Sequence, residues 1–162
     1  MSVLASGTLR EYSCRVQPEW IDYNGHMMDA YYFVAFTEAT EAFLDQLGLG
    51  AAYRAESGCG IYTVESHLCF ASSVREGATI SYQSLLLGCD PKRLHVFHQM
   101  TASKSAGPVA TNELMFLHVD LAAERVAPMP PERYRAASVL AATHAGHPLP
   151  ANVGRGIHMP SG

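Results

Sequence analysis

From Ala30 to Leu47 the chain has neither proline nor glycine, and Phe33, Phe36, Phe43, Leu44 and Leu47 recur at steps of three, four or seven. Thr37, Glu38, Glu41 and Asp45 take the opposite side, so the period predicts a helix with one apolar stripe. Asp29 is placed to cap its start and Gly48 to stop it. At 1.5 Å per residue such a helix is about 27 Å long, and an apolar face of that size needs a sheet to cover it.

The rest of the chain supplies one. Leu9 to Val16 alternates, with Tyr12, Cys14 and Val16 on one side and Glu11, Ser13 and Arg15 on the other, the signature of a strand. Gly48 to Gly60 holds four glycines and reads as a loop. Gly60 to Phe70 reads as a second strand, with Tyr62, Val64, Leu68 and Phe70 on one face and Ile61, Thr63, Glu65, His67 and Cys69 on the other. Strands are then expected over Ala78 to Leu87, Arg93 to Ala102 and Val109 to Asp120. The turns between them are Arg75-Glu76-Gly77, Gly88 to Lys92 and Ser103 to Pro108. Connections this short imply antiparallel pairing. A short helix from about Glu132 to Thr143 follows Pro128, Pro130 and Pro131, and Gly146 to Gly162 reads as a loose tail. The pattern specifies an α+β fold, with an antiparallel sheet of about five strands on one long helix, as a single domain over residues 1–145 with a tail over 146–162.

Composition narrows the function. The chain has 162 residues, the size of one domain with a real core. Charged residues make up 16% and hydrophobic ones 48%, more apolar surface than a small monomer hides, so a homodimer or homotetramer is expected. A net charge of -4 gives no basic footprint for nucleic acid. No window has 18 consecutive apolar residues, and Met1 to Arg10 lacks the pattern of a leader, so a cytoplasmic protein without a membrane partner is expected. Cys14, Cys59, Cys69 and Cys89 have no C-x-x-C spacing and read as reduced, small buried hydrophobes.

The candidate chemistry is concentrated in Pro18-Glu19-Trp20-Ile21-Asp22-Tyr23-Asn24-Gly25-His26-Met27-Met28-Asp29. Asp22, Asn24 and His26 gather around Gly25 beside a helix start, where unpaired amides can stabilise developing negative charge. Asp22 can serve as nucleophile or general base, or else only cap the turn through its carboxylate. Asn24 and His26 are candidates to hold a water or a carbonyl, and Gly25 supplies backbone freedom or close approach. Glu65 and His67 share a strand face and form a second polar pair, either reaching the site or pointing away from the helix. Trp20, Tyr23, Tyr31, Tyr32 and Phe33 form an aromatic group that either packs the core or lines a pocket. His95 and His98 are three apart on a strand, face opposite ways and cannot share a metal. No G-x-S-x-G, G-x-G-x-x-G or P-loop is present, and no organic cofactor is implied.

Three features together resemble the hot-dog-fold thioesterases of the 4-hydroxybenzoyl-CoA thioesterase type. They are Trp20-Ile21-Asp22-Tyr23-Asn24-Gly25-His26-Met27 before a long helix, Arg75-Glu76-Gly77 between the second and third strands, and Pro128-Met129-Pro130-Pro131 after the last. Within that group, residues 18–32 are similar to the betainyl-CoA thioesterases of carnitine breakdown. The resemblance implies a hot-dog fold, hydrolysis of an acyl-CoA to free acid and CoA, and an acyl group entering between subunits. It implies Asp22 as the catalytic carboxylate; Asn24 and His26 remain the candidates to hold a water or the carbonyl, and Trp20, Tyr23, Gly25, Tyr31, Glu65 and His67 the candidates to contact the substrate. Betainyl-CoA is the expected substrate; another short, medium-chain or aromatic acyl-CoA is the alternative. The rival classes are a non-catalytic acyl-CoA-binding module and, more weakly, hydration of an enoyl thioester on the same fold.

Overall fold

The computed structural model describes residues 12–159. The long helix α1 spans Asp29–Gln46, and Tyr32, Ala35, Phe36, Ala39, Thr40, Phe43 and Leu44 are its buried residues, at the steps of three and four that bring one face of a helix together. Met28 rather than Asp29 is the N-cap. Asp29 is the first helical residue, and its Oδ1 accepts from the Ala30 amide at 2.8 Å, so it still places negative charge in the first turn. At the other end Gly48 adopts φ +67°. Its amide donates to the Asp45 carbonyl at 3.0 Å and the Leu49 amide to Leu44 at 2.9 Å, the paired closing bonds that a left-handed residue makes possible.

Around α1 curls an antiparallel sheet in the order β1-β3-β4-β5-β2. Its strands are β1 (Tyr12–Arg15), β2 (Cys59–Phe70), β3 (Thr79–Asp90), β4 (Arg93–Ala102) and β5 (Pro108–Asp120). A two-residue strand β6 (Arg125–Val126) adds to the end of β5. Residues 9–11 of the expected first strand lie outside the described residues. A final helix, α3 (Pro131–His144), packs against β3, and the buried Nδ1 of His144 accepts from the Leu86 amide at 2.9 Å.

Three further expectations are corrected. The glycine-rich loop contains a helix, α2 (Ala51–Ser57). Its residues, Ala-Ala-Tyr-Arg-Ala-Glu-Ser, favour helix, and the glycines only bound it, Gly58 closing it at φ +67°. Second, β3 runs past Gly88 to Asp90 because a bulge between Leu86 and Gly88 carries it there, leaving Pro91 and Lys92 as the turn. Third, the tail beyond Gly146 is anchored on β5: Asn152 Nδ2 donates to Thr111 Oγ1 at 3.3 Å and the Gly154 amide to Glu113 Oε2 at 2.7 Å.

The core beneath α1 has two apolar halves. One joins Trp20, Met27, Tyr32, Ala35, Phe36 and Ala39 to Val74, Ile80, Tyr82, Met100 and Ala110. The other joins Phe43, Leu44 and Leu47 to Leu86, Leu94, Val96, Leu114 and Phe116. Between them runs a polar row. Ser84, His98 and Asn112 are register neighbours across β3, β4 and β5, and Ser66 on β2 donates to Asn112 Oδ1 at 2.7 Å. Thr40 of α1 closes the row from above. Its hydroxyl donates to the Phe36 carbonyl at 2.9 Å and therefore accepts from His98 Nε2 at 3.0 Å, which leaves His98 Nδ1 to accept from Ser84 Oγ at 2.7 Å. Burial pushes the His98 imidazole down to about 3, so it is neutral throughout the physiological range.

Candidate active site

The loop before α1 is a miniature hairpin. Ile21 and Met27 form an antiparallel bridge, the Asp22 amide donates to the His26 carbonyl at 2.9 Å, and the Gly25 amide donates to the Asp22 carbonyl at 3.0 Å. Gly25 takes φ +76°, the left-handed conformation this tight return requires. Two further backbone bonds seat the hairpin on the domain. The Met28 amide donates to the Trp20 carbonyl and the Met27 amide to the Val74 carbonyl, both at 2.8 Å. Trp20 is buried and stacked on Tyr31 with centroids 5.9 Å apart, so it is the pedestal of the loop.

The carboxylate of Asp22 is the focus of this hairpin. Its Oδ1 accepts from the amides of Asn24 at 2.8 Å and His26 at 3.3 Å, and its Oδ2 accepts only from Asn24 Nδ2, at 3.3 Å. Partial desolvation pushes the carboxyl up, but the Asn24 and His26 amides, the Asn24 side chain and the nearby His26 imidazole outweigh it and hold the group below the ordinary carboxylate range. The turn-capping reading of Asp22 is therefore correct as geometry. It leaves chemistry open, because Oδ2, held by one long bond, keeps a lone pair for a water or a carbonyl carbon. At the nearby helix start the Ala30 amide is taken by the Asp29 carboxylate and the Tyr31 amide by the Met28 carbonyl at 3.0 Å. The Asp29 amide has no acceptor among the described residues and is a free donor at the positive end of α1.

Five of the nine residues singled out in the sequence, Asp22, Tyr23, Asn24, Gly25 and His26, share this hairpin, and Trp20 and Tyr31 support it. Tyr23 stands at the tip, 97% exposed, with no wall around it. Phe33, expected on the buried stripe, is 42% exposed because it sits on the flank of α1 that faces the open side of β2. Glu65 and His67 are not gathered with Asp22. They do share a face, but a bulge between Thr63 and Glu65 reverses the alternation of β2. Ile61 and Thr63 consequently join Ser66, Leu68 and Phe70 on the α1 side, and Glu65 and His67 lie on the other, where His67 is the register partner of Glu113. His95 lies on that outer face too, its Nε2 2.7 Å from Glu113 Oε1.

Sequence reading did not single out a crevice of about 60 Å³ between α1 and the β2–β5 edge. Phe33, Phe36, Glu41, Ile61 and Phe116 wall it, and Thr40 and Asn112 floor it. The available signal was Asn112, a poor strand former inside an apolar strand. Among the described residues, no group of three or more His, Cys, Asp or Glu is placed to hold a metal. No helix among them is long and apolar enough to cross a membrane.

The geometry agrees with what the chain resembles. A relative from Pseudomonas aeruginosa named betainyl-CoA thioesterase is 41% identical over 155 residues, covering 96% of this chain and 98% of its own. A thioesterase candidate from Pseudomonas putida KT2440, solved by crystallography, superposes with a TM-score of 0.82 at 33% identity, covering 95% of this chain and 99% of that one. A Staphylococcus aureus protein solved in complex with CoA superposes with a TM-score of 0.87 at 25% identity, covering 94% and 96%. The model of the thioesterase-like superfamily matches residues 16–142, from the end of β1 into the last turns of α3. With its curled antiparallel sheet, its long helix and its Asp22 hairpin, the chain belongs to the thioesterase-like superfamily and has the hot-dog fold.

Proposed function

We propose that this thioesterase hydrolyses betainyl-CoA to betaine and CoA, with Asp22 as the catalytic carboxylate. The observation that carries the reading is the Asp22 carboxylate itself, held ionised by two backbone amides, with Oδ2 free enough to act, beside the start of α1. The similarity to a named betainyl-CoA thioesterase over nearly the full length of both chains supports the acyl group. Oδ2 either attacks the thioester carbonyl, expelling CoA thiolate and leaving a mixed anhydride for water to open, or takes a proton from the attacking water. In both routes the carbonyl oxygen gains negative charge, and the Asp29 amide at the positive end of α1 is our candidate donor for it. Asn24 orients the carboxylate through its side chain, and the His26 backbone amide helps to hold Oδ1.

The chain acts as a homodimer joined at β2, which also allows a tetramer of such pairs. β2 is a 12-residue strand paired on one side only, and Tyr62, Val64 and Phe70 along it are 46%, 54% and 53% exposed. An open apolar edge of that length is a pairing site. Free-thiol release from betainyl-CoA, acetyl-CoA, a medium-chain and an aromatic acyl-CoA, measured with wild type and Asp22→Asn, tests the reading. Preference for betainyl-CoA that disappears in the variant is expected. Thiol release unaffected by the substitution would sink Asp22, and release from none of the four would leave a binding module. Sedimentation of the wild type checks the dimer; a monomer at micromolar concentration refutes it.

A further inference from the structure

The crevice beside α1 has the chemistry of a cation site. Phe33 and Phe36 line it, and Glu41 brings a carboxylate that makes no ion pair among the described residues. Its floor is polar, formed by Thr40 and by Asn112, which is only 1% exposed, so it is no dry packing defect of an apolar core. At about 60 Å³ it has room for a compact head group rather than a chain.

The Glu41 end of the crevice lies far from the Asp22 of its own chain. Asp22 lies before the N-terminus of α1, whereas Thr40 is eleven residues past Asp29, about 16 Å along the axis. In betainyl-CoA one methylene separates the cationic nitrogen from the thioester carbonyl, so a substrate at Asp22 does not reach that far. Pairing of two β2 edges removes the difficulty. The N-terminal end of α1 lies at the Phe70 end of β2, through the contact of Tyr32 with Phe70 at 5.1 Å, while Leu44 and Ile61 meet at the opposite end of the crevice. Antiparallel pairing about a two-fold axis sets the Phe70 end of one copy beside the Ile61 end of the other. Such pairing would bring the Asp22 loop of each copy towards the Glu41 end of its neighbour's crevice.

We infer that Glu41, which lines the crevice together with Phe33, forms the subsite for the quaternary ammonium of the substrate held by Asp22 of the second copy. The inference rests on the betainyl reading and adds the groups that set its specificity. The test compares betainyl-CoA with its neutral isostere, 3,3-dimethylbutyryl-CoA, on wild type and Glu41→Gln. Wild type should favour the cation, and the variant should lower the ratio of kcat/KM values by about tenfold or more, mainly through KM for the cation. Phe33→Leu should lower the same ratio less. A preference that survives Glu41→Gln overturns the inference alone. A wild type that does not favour the cation overturns the substrate reading and the inference with it. The cross-copy arrangement is tested by heterodimers of Asp22→Asn and Glu41→Gln chains, purified on two tags. One of their two sites then combines Asp22 with Glu41, so they should recover the wild-type ratio. Heterodimers with the ratio of the Glu41→Gln homodimer refute action between copies.

Discussion

Two polar clusters in this molecule are built from the same materials and have opposite properties. The Asp22 hairpin closes its hydrogen bonds within five residues, at the surface, around a carboxylate held ionised. The Ser84–His98–Thr40 row closes its bonds across 14 and 58 residues of sequence, inside the core, around an imidazole held neutral. The difference lies in what each side chain has left over. Every polar atom of His98 is matched, whereas Asp22 keeps an oxygen with only one long bond. A satisfied buried network fixes the register of helix on sheet, and an unsatisfied exposed one is available to a substrate.

The comparison can be broken in four ways. Asp22→Asn keeps the shape of the hairpin but removes the charge, so kcat should fall by about a thousandfold, with the melting temperature within a few degrees of wild type. His98→Ala should do the reverse. It leaves Ser84 and Thr40 without their partner and opens a cavity, for a loss of about 2–4 kcal/mol in chemical denaturation. A comparable stability loss in Asp22→Asn would mean that the hairpin, too, is structural.

Acid should separate the two clusters next. The unfolded chain binds a proton at His98 below pH 6.5, while the folded chain holds it neutral down to about 3. Stability contributed by this group is thus complete above pH 6.5 and falls by about 1.4 kcal/mol per pH unit towards pH 3. His144, also depressed by burial and by the nearby His147, adds in the same direction. Catalysis by the folded enzyme should withstand more acid: Asp22 stays ionised below the ordinary carboxylate range, so kcat/KM measured at temperatures well under the transition should hold on the acid side until that range is passed. The smallest effect is expected from Asn24→Ala, which removes a 3.3 Å bond to Oδ2 and should move the acid limb of the kcat/KM profile upward in pH. An unmoved limb would show that the backbone amides alone hold the carboxylate.

Much of this arrangement was readable along the chain. The helix and the hairpin sheet follow from periodicity, because a side-chain repeat of 3.6 or 2 residues is a local property and needs no partner to be seen. The Asp22 hairpin was legible for the same reason: its donors and acceptor lie within five residues, and Gly25 marks the left-handed turn. Where a residue departed from the mean pattern, local reading failed. The bulge at Val64 added one residue to β2 and moved Glu65 and His67 away from α1, and Phe33 fell on the flank of the helix stripe.

The amino-acid sequence by itself thus determined the long helix, the main strands in their order and the Asp22 turn, since each rests on patterns among near neighbours. Only the tertiary structure decided that Ser66, Asn112, His98, Ser84 and Thr40 meet in one row, and that Glu41 and Phe33 border a crevice on the open edge of the sheet. Those meetings depend on strand register and on the rotation of α1 over the sheet. Both are set by the summed packing of two apolar half-cores, and no short stretch of sequence carries that sum.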